Sequence, residues 1–358
     1  MKDRDFSSKI VEWYGEHHRQ LPWRKTRDAY KIWLSEIILQ QTRVAQGLPY
    51  YLKFIHRYPT VSSLAAAPER EILRLWQGLG YYSRARNLRK CAKAVVDLHG
   101  AKFPDSFAQL NTLPGIGDYT AAAIASFAFD EQVAVVDGNV FRVLARVFGI
   151  QNDIASAKGK KVFAELANRI IPAANPGMHN QAVMEFGAMH CLPRNPKCET
   201  CPFKRVCFAS QRDLQQFLPV KEKAKKQKPR YFYYLVARHA QKILMKERGP
   251  GDIWTGLFDF PLIETESRVP ANQIRRLLVE NKFIRRDFIE KLEVSSPRKH
   301  ILTHQIIHAS FIELDLARTI LLARGALIAG SAFYSARQIA RLPKPVLISR
   351  HLEERPLI

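Results

Sequence analysis

The chain has 358 residues, with 56 Lys and Arg against 33 Asp and Glu, for a formal net charge of +23. Its 47% hydrophobic content excludes a disordered polycation, and the charge points to a polyanion, nucleic acid ahead of an anionic membrane. No apolar run reaches the about 18 residues of a membrane span, and the opening Met1-Lys-Asp-Arg-Asp-Phe6 lacks the apolar core of a secretory signal, so a cytoplasmic location is expected, nucleoid-associated if the source is bacterial.

At this length two domains are expected. Apolar residues recur at helical spacing in 10–14, 32–39, 50–54, 71–76, 88–98, 120–129, 140–147 and 162–170, between connections marked by Pro and Gly. Residues 1–210 therefore predict a helical domain. Residues 211–229 predict a linker that ends in the basic stretch Pro219–Pro229, whose lysines read as a solvated tether or as contacts to a phosphate backbone. Beyond it the period changes. Tyr231–Arg238 and Lys242–Lys246 predict paired strands, 274–281 a helix, and 299–314 one or two further strands, while 317–326 fits either type. Residues 230–358 thus predict a smaller α+β domain.

The chemistry begins at Glu36, in Tyr30-Lys-Ile-Trp-Leu-Ser-Glu-Ile-Ile-Leu-Gln-Gln-Thr42. Apolar residues flank it on several helix faces, so it either lies on a single polar stripe or is desolvated. Desolvation raises a carboxyl pKa and makes a proton donor near neutral pH. Leu113-Pro-Gly-Ile-Gly-Asp-Tyr-Thr120 joins a short helix at 107–110 to the apolar run 121–129. Gly115 and Gly117 permit positive backbone dihedrals, and the amides of such a turn hold a DNA phosphate without reading sequence. A plain turn between helices is the alternative. In Ala134-Val-Val-Asp-Gly-Asn-Val-Phe-Arg-Val-Leu144 an apolar run stops at Asp137, where a helix begins. Asp137 suits an N-cap, whose hydrogen bonds and helix dipole are expected to keep it ionised. A carboxylate held negative beside a sugar stabilises or traps an oxocarbenium-like charge. Two carboxyls in opposite protonation states would divide acid and stabilising roles between them.

Cys191, Cys198, Cys201 and Cys207 follow, spaced C-x6-C-x2-C-x5-C. Four soft ligands so close in sequence suit zinc or an iron–sulfur cluster, with two disulfides as the less apt reading for a chain of cytosolic character. The fifth cysteine, Cys91, reads as a small buried hydrophobe.

Together these segments resemble the endonuclease III superfamily of DNA glycosylases, with its helix–hairpin–helix (here about 107–129), its Gly/Pro-rich segment ending in an aspartate, and its four-cysteine loop (191–207). Leu21-Pro-Trp-Arg24, Ser35–Val44, Gly78-Leu-Gly-Tyr-Tyr-Ser-Arg84 and Val136-Asp-Gly-Asn-Val140 are similar to the adenine-specific branch, which acts on adenine opposite 8-oxoguanine or guanine in duplex DNA. The resemblance implies one [4Fe–4S] cluster per chain on the four cysteines and a monomeric enzyme that flips the base. Glu36 would act as general acid at adenine N7, Asp137 would support the sugar cation or form a transient ester, and Tyr119 and Asn139 would assist them. Gln181 would bind the adenine edge, Trp23, Arg24 and Leu39 would line its pocket, and Gln41 and Tyr81 would enter the base stack. Arg194, Lys197, Lys204 and Arg205 would put a basic loop against phosphate. Bifunctional relatives carry a lysine where this chain has Tyr119, so hydrolysis without strand cleavage is implied.

The C-terminal segment resembles the branch's Nudix-like lesion-recognition domain through Gly251-Asp-Ile-Trp-Thr-Gly-Leu-Phe-Asp-Phe-Pro261. No Arg-Glu-x-x-Glu-Glu run follows to collect magnesium, so binding rather than pyrophosphate hydrolysis is expected. Where the family often reads Phe-Ser-His this chain has Leu302-Thr-His304, which makes Thr303 and His304 the candidate readers of 8-oxoguanine and leaves a structural strand histidine as the alternative. Two other functions compete: a bifunctional lyase, against which Tyr119 argues, and a non-catalytic redox-sensing DNA-binding module, against which the pair Glu36 and Asp137 argues.

Overall fold

A computed structural model of the protein describes residues 3–222, 227–283, 292–315 and 330–356. The helical spacing of the first part is realised in α1 (Asp3–His17), α2 (Ala29–Leu39), α3 (Val44–Arg57), α4 (Val61–Ala66), α5 (Glu69–Leu75), α6 (Ser83–His99), α7 (Phe107–Leu110), α8 (Asp118–Phe129), α9 (Gly138–Phe148), α10 (Ala157–Ile170), α11 (Pro176–Met189) and α12 (Phe208–Gln211). α4, α11 and the short α12 were not foreseen. α11 is buried nearly all round, so its apolar residues show no one-sided period, and its glycines dilute the signal further. Those glycines serve packing: a Cβ on Gly187 would stand 2.6 Å from the Asn139 side chain, so only glycine lets α11 lie this close to the start of α9.

Compactness divides the described chain into one unit of residues 1–67 and 87–223 and another of 68–86 and 224–358. Sequence periodicity gave no sign that a helical stretch would join the C-terminal segment. Its polar groups explain the grouping. The Gln77 amide donates to Ser349 Oγ (3.1 Å) and its oxygen accepts from Lys344 N (3.1 Å), Tyr82 Oη donates to the Lys344 carbonyl (3.2 Å), and Arg86 donates to the Thr255 carbonyl (2.9 Å).

In the first unit one core joins α1, α9, α10, α11 and the cysteine loop through Phe6, Ile10, Trp13, Val143, Phe163, Phe186 and Phe203. α8, with buried Ala121, Ala122, Ala123 and Ala125, packs on α2.

The second unit is built on a mixed sheet: β1 (Lys228–His239), β2 (Lys242–Glu247), β3 (Phe258–Asp259), β4 (Leu262–Thr265), β5 (Glu293–Val294), β6 (Arg298–Ile301), β7 (Gln305–Asp315) and β8 (Ser331–Ser335). The expected β1–β2 hairpin forms, with Arg238 opposite Ile243. The long partner of β1 is β7, in parallel register from Lys228 opposite Gln305 to Arg238 opposite Asp315. β1 is buried on both faces. Phe232, Tyr234 and Val236 enter one core with Ile348 and Leu347 of α15 (Val346–Glu354), which follows the short α14 (Ala336–Ile339). Tyr233, Leu235 and Ala237 enter the other with Ile274 and Leu278 of α13 (Ile274–Glu280), the helix expected there. The stretch 317–326, open between helix and strand, lies outside the described residues. Among the described residues no helix is long and apolar enough to cross a membrane.

Candidate active site

A cavity of about 520 Å³ in the first unit gathers Trp23, Arg24, Glu36, Leu39, Tyr119, Asp137, Asn139 and Gln181 on its walls. Each arrives there for a local reason. α2 is capped by Asp28, whose carboxylate accepts from Tyr30 N (3.0 Å), and it buries every position but Lys31 from Tyr30 to Ile38. Glu36 therefore has no polar stripe to occupy and is only 6% exposed. α8 starts at Gly117 and brings Tyr119 in its first turn within reach, so that Tyr119 Oη donates to Glu36 Oε2 at 2.7 Å. Burial pushes Glu36 up to about 7. Asp137 adds to the rise, while the Tyr119 hydrogen bond and Arg24 oppose it.

Asp137 is the N-cap of α9. Its carboxylate accepts from Asn139 N (2.8 Å), Asn139 Nδ2 (2.8 Å) and Val140 N (2.7 Å). Arg142 fixes the Asn139 amide by donating to its Oδ1 at 2.9 Å. Capping does not bring Asp137 below the usual aspartate value. Burial raises its pKa above the usual aspartate value, and the cap bonds restrain that rise without reversing it. The contrast that remains is in partners: Asp137 takes three hydrogen bonds that favour its charge, and Glu36 takes one.

Sequence reasoning missed Glu185 and Arg19, which also line the cavity. Glu185 lies on α11 with its side chain 1% exposed. Arg24 reaches both its oxygens (3.0 and 2.8 Å), and Arg19 grips it through Nε (2.8 Å), Nη2 (2.6 Å) and the backbone N–H (2.9 Å). Burial alone would raise Glu185, but the hydrogen bonds from Arg19 and Arg24 outweigh it and bring the carboxyl down to about 2. The signal was present in Val183-Met-Glu-Phe-Gly187, a lone carboxylate in an apolar stretch like that of Glu36. Glu185→Gln would leave two guanidinium groups facing an amide. It is expected to cost on the order of 2–3 kcal/mol in urea unfolding at neutral pH, less than a fully buried pair because Arg19 is partly solvated. In the parent that contribution is present above the unfolded pKa of a glutamate and is lost as pH falls through about 2. Gln181 is oriented from the same side, its Oε1 accepting from Tyr14 Oη at 2.8 Å.

The other candidate residues are not among those that line this cavity. Gln41 is exposed at the end of α2 with φ 53°, and Tyr81, in the second unit, is 45% exposed with φ 47°; both hold left-handed backbone that a side chain tolerates poorly. Tyr81 Oη shares a hydrogen bond with Thr303 Oγ1 in the same unit. Thr303 and His304 are exposed in the turn between β6 and β7, so His304 is not a strand residue as the alternative had it. In the hairpin turn Gly115 has φ 78°, and a Cβ there would stand 2.7 Å from that of Asn87. The expectation fails for Gly117, which is extended (φ −109°, ψ 179°) because it serves as the N-cap of α8.

The four cysteines line one small cavity with Arg146, Phe186 and His190, although among the described residues no three acidic, thiol or imidazole groups converge on a point where they would grip a single ion. Arg146, 2% exposed, ties the loop down by donating to the carbonyls of Leu192 (2.7 Å), Pro193 (3.1 Å) and Leu218 (3.0 Å), and its Nη1 lies 3.4 Å from Cys191 Sγ. Burial pushes the Cys201 thiol up to about 12, so a metal would have to supply the charge that makes it a thiolate. Arg194, Lys197, Lys204 and Arg205 are exposed, and Lys204 pairs with Glu199 at 2.5 Å. Cys91 is buried, as expected.

Comparison with known proteins gives this geometry relatives. Residues 34–172 match the HhH-GPD superfamily of base excision DNA repair proteins, and residues 232–354 match the NUDIX domain. The chain is 38% identical to the adenine DNA glycosylase of Buchnera aphidicola subsp. Schizaphis graminum over 262 residues, which covers 73% of this chain and 76% of that protein. It is 43% identical to the human adenine DNA glycosylase over 222 residues, 60% of this chain and 41% of the human one. Among solved structures, a thermostable thymine-DNA glycosylase superposes with a TM-score of 0.54 at 31% identity, covering 59% of this chain and 97% of that one.

Proposed function

Because the chain belongs to the adenine DNA glycosylase family, hydrolases that act in base excision repair, we propose that it releases adenine paired with 8-oxoguanine or guanine in duplex DNA by hydrolysis alone. The observation that carries this reading is the single cavity in which Glu36, lifted to about 7, stands with the multiply hydrogen-bonded Asp137. The volume, about 520 Å³, accommodates a flipped nucleoside.

In this reading Glu36 gives its proton to adenine N7, and the base leaves with the electron pair of the glycosidic bond. Asp137 faces the sugar cation and stabilises it or bonds to it transiently. Water then adds to the sugar carbon and gives up a proton. Gln181 and the Arg24–Glu185 pair supply fixed polar groups to the adenine edge, and Trp23 and Leu39 supply apolar walls. Tyr119 holds Glu36 and offers no amine to the sugar. Borohydride is therefore expected to trap no appreciable enzyme–DNA adduct, whereas efficient trapping would restore the lyase reading.

Cys191, Cys198, Cys201 and Cys207 would hold a [4Fe–4S] cluster. Four thiols that line one cavity suit a polynuclear group whose corners each take one thiolate. When bound, the cluster fixes the 191–207 loop, with its exposed cations, toward phosphate.

Duplex DNA would be engaged by the amides of the Gly115–Gly117 turn, with Gln41 and Tyr81 filling the stack. The Tyr81–Thr303 hydrogen bond joins a stacking residue to the turn proposed to read the opposite base. Adenine release from duplexes carrying adenine opposite 8-oxoguanine, guanine or thymine, measured under single turnover with the monomeric protein, tests the assignment. Equal rates on all three would remove the mispair reading. Thr303→Ala or His304→Ala is expected to lower the preference for 8-oxoguanine over guanine by about tenfold, the worth of one recognition hydrogen bond. Cutting the chain near Val220 is a blunter test, since it strips residues 68–86 of their hydrogen-bond partners in the second unit.

A further inference from the structure

The cavity lined by the four cysteines has a wall that the ligand set leaves unexplained. His190 follows the last turn of α11, directly before Cys191, and is 7% exposed. Its ring stacks on Phe186 (centroids 4.9 Å apart, 18° between planes) and meets Trp13 edge-on (5.7 Å, 75°). These two aromatic contacts fix the ring of a residue that lines the cysteine cavity. Lys197 N donates to the His190 carbonyl (3.1 Å), and the ring's Nε2 is buried and has no hydrogen-bond partner among the described residues. A buried imidazole nitrogen without a partner is costly, and native proteins rarely leave one so. Here the unsatisfied atom belongs to a residue that lines the cavity of the four cysteines.

We propose that His190 donates a hydrogen bond from Nε2 to a sulfur of the [4Fe–4S] cluster and thereby raises the cluster's reduction potential, an inference that rests on the reading of the four cysteines as cluster ligands. An imidazole nitrogen donates or accepts according to its tautomer, whereas thiolates and bridging sulfides only accept. A cluster in the cavity therefore draws the ring proton to Nε2. The positive end of the N–H dipole stabilises the more negative, reduced cluster, so the donor makes reduction easier. Arg146, with Nη1 3.4 Å from Cys191 Sγ, acts on the same sulfur environment in the same direction.

The test uses the full chain, purified without oxygen and reconstituted with iron and sulfide. Iron content is measured first, then the potential by film voltammetry for the parent, His190→Phe and His190→Gln. Phenylalanine keeps the stack on Phe186 and Trp13 and removes the donor; glutamine keeps an N–H. His190→Phe is expected to retain its iron and to shift the oxidised-to-reduced ratio about tenfold toward the oxidised form, close to 59 mV for a one-electron couple. His190→Gln should recover part of that shift. An intact cluster with an unchanged potential in His190→Phe would overturn the inference.

A second measurement needs no variant. Among the described residues His190 is the histidine that lines this cavity, so a parent protein labelled with ¹⁵N-histidine should show a ¹⁵N coupling and an exchangeable proton in pulsed EPR of the paramagnetic cluster. Absence of both would mean that Nε2 is turned to water or left unprotonated, and the inference would fall even if His190→Phe did not fold. A chain that binds no iron would overturn the cluster reading itself, and this inference with it.

Discussion

Replacing Glu36 by glutamine is expected to slow adenine release by about 10²–10⁴-fold, the range that a positioned general acid contributes. Glutamine keeps the volume and can still accept from Tyr119 Oη, but it has no proton to give. Mispair binding should stay close to that of the parent, because the lost interaction exists only in the transition state. The pH profile makes the test sharper. With Glu36 raised to about 7, the parent should lose activity as pH climbs through that value, since only the protonated form acts. The residual rate of Glu36→Gln should show no such limb. Stability should move the other way. A carboxyl whose folded pKa is raised favours folding fully below its unfolded pKa and loses that contribution as pH rises through about 7. The glutamine variant should therefore gain on the order of 3 kcal/mol over the parent at pH 8 to 9, and nothing below pH 4 or so. A variant that is slow yet no more stable at high pH would mean that Glu36 is not held against its charge.

The residues that could be read from the sequence were those whose local pattern states its own purpose. Asp137 was legible because an apolar run ended on it just before a helix, and it is the N-cap of α9. Glu36 was legible only as a carboxylate with two readings, on a polar stripe or desolvated, and burial of α2 decides for the second. Glu185 carried the same signal but lay in a helix that periodicity did not reveal, since α11 is buried on several sides. Arg19 was illegible in principle. Its link to Glu185 spans 166 positions, and nothing in the local sequence of either residue names the other. The same limit applied to the second unit. The β1–β2 hairpin could be read from adjacent strands, but the parallel pairing of β1 with β7 and the grouping of residues 68–86 with the C-terminal segment depend on distant partners.

Asp137→Asn separates the two roles of that residue, helix cap and negative charge. Asparagine caps helices about as well as aspartate, so the two bonds from Asn139 N and Val140 N can persist through its oxygen. The third contact cannot. Asn139 Nδ2 now donates to Asp137 Oδ2 at 2.8 Å and would meet an NH₂ group instead. Turning the Asn139 amide would relieve that clash but would point a second NH₂ group at Arg142 Nη2, which donates to Asn139 Oδ1 at 2.9 Å. A stability loss of about 1 kcal/mol is therefore expected from one mismatched buried hydrogen bond. Base release should fall much further, by about 10²–10³-fold or more, because the charge that faces the sugar cation is gone. Asn139→Ala, which keeps the charge but loses the side-chain donor, should be milder than Asp137→Asn in rate. The pH profile carries an independent check. Asp137 contributes to the high pKa of Glu36, so removing its charge should move the alkaline limb of the residual activity below about 7. A variant with its limb unmoved would show that the two carboxyls do not interact as their shared cavity implies. A variant that released adenine at nearly the parental rate would leave Asp137 as a helix cap and nothing more.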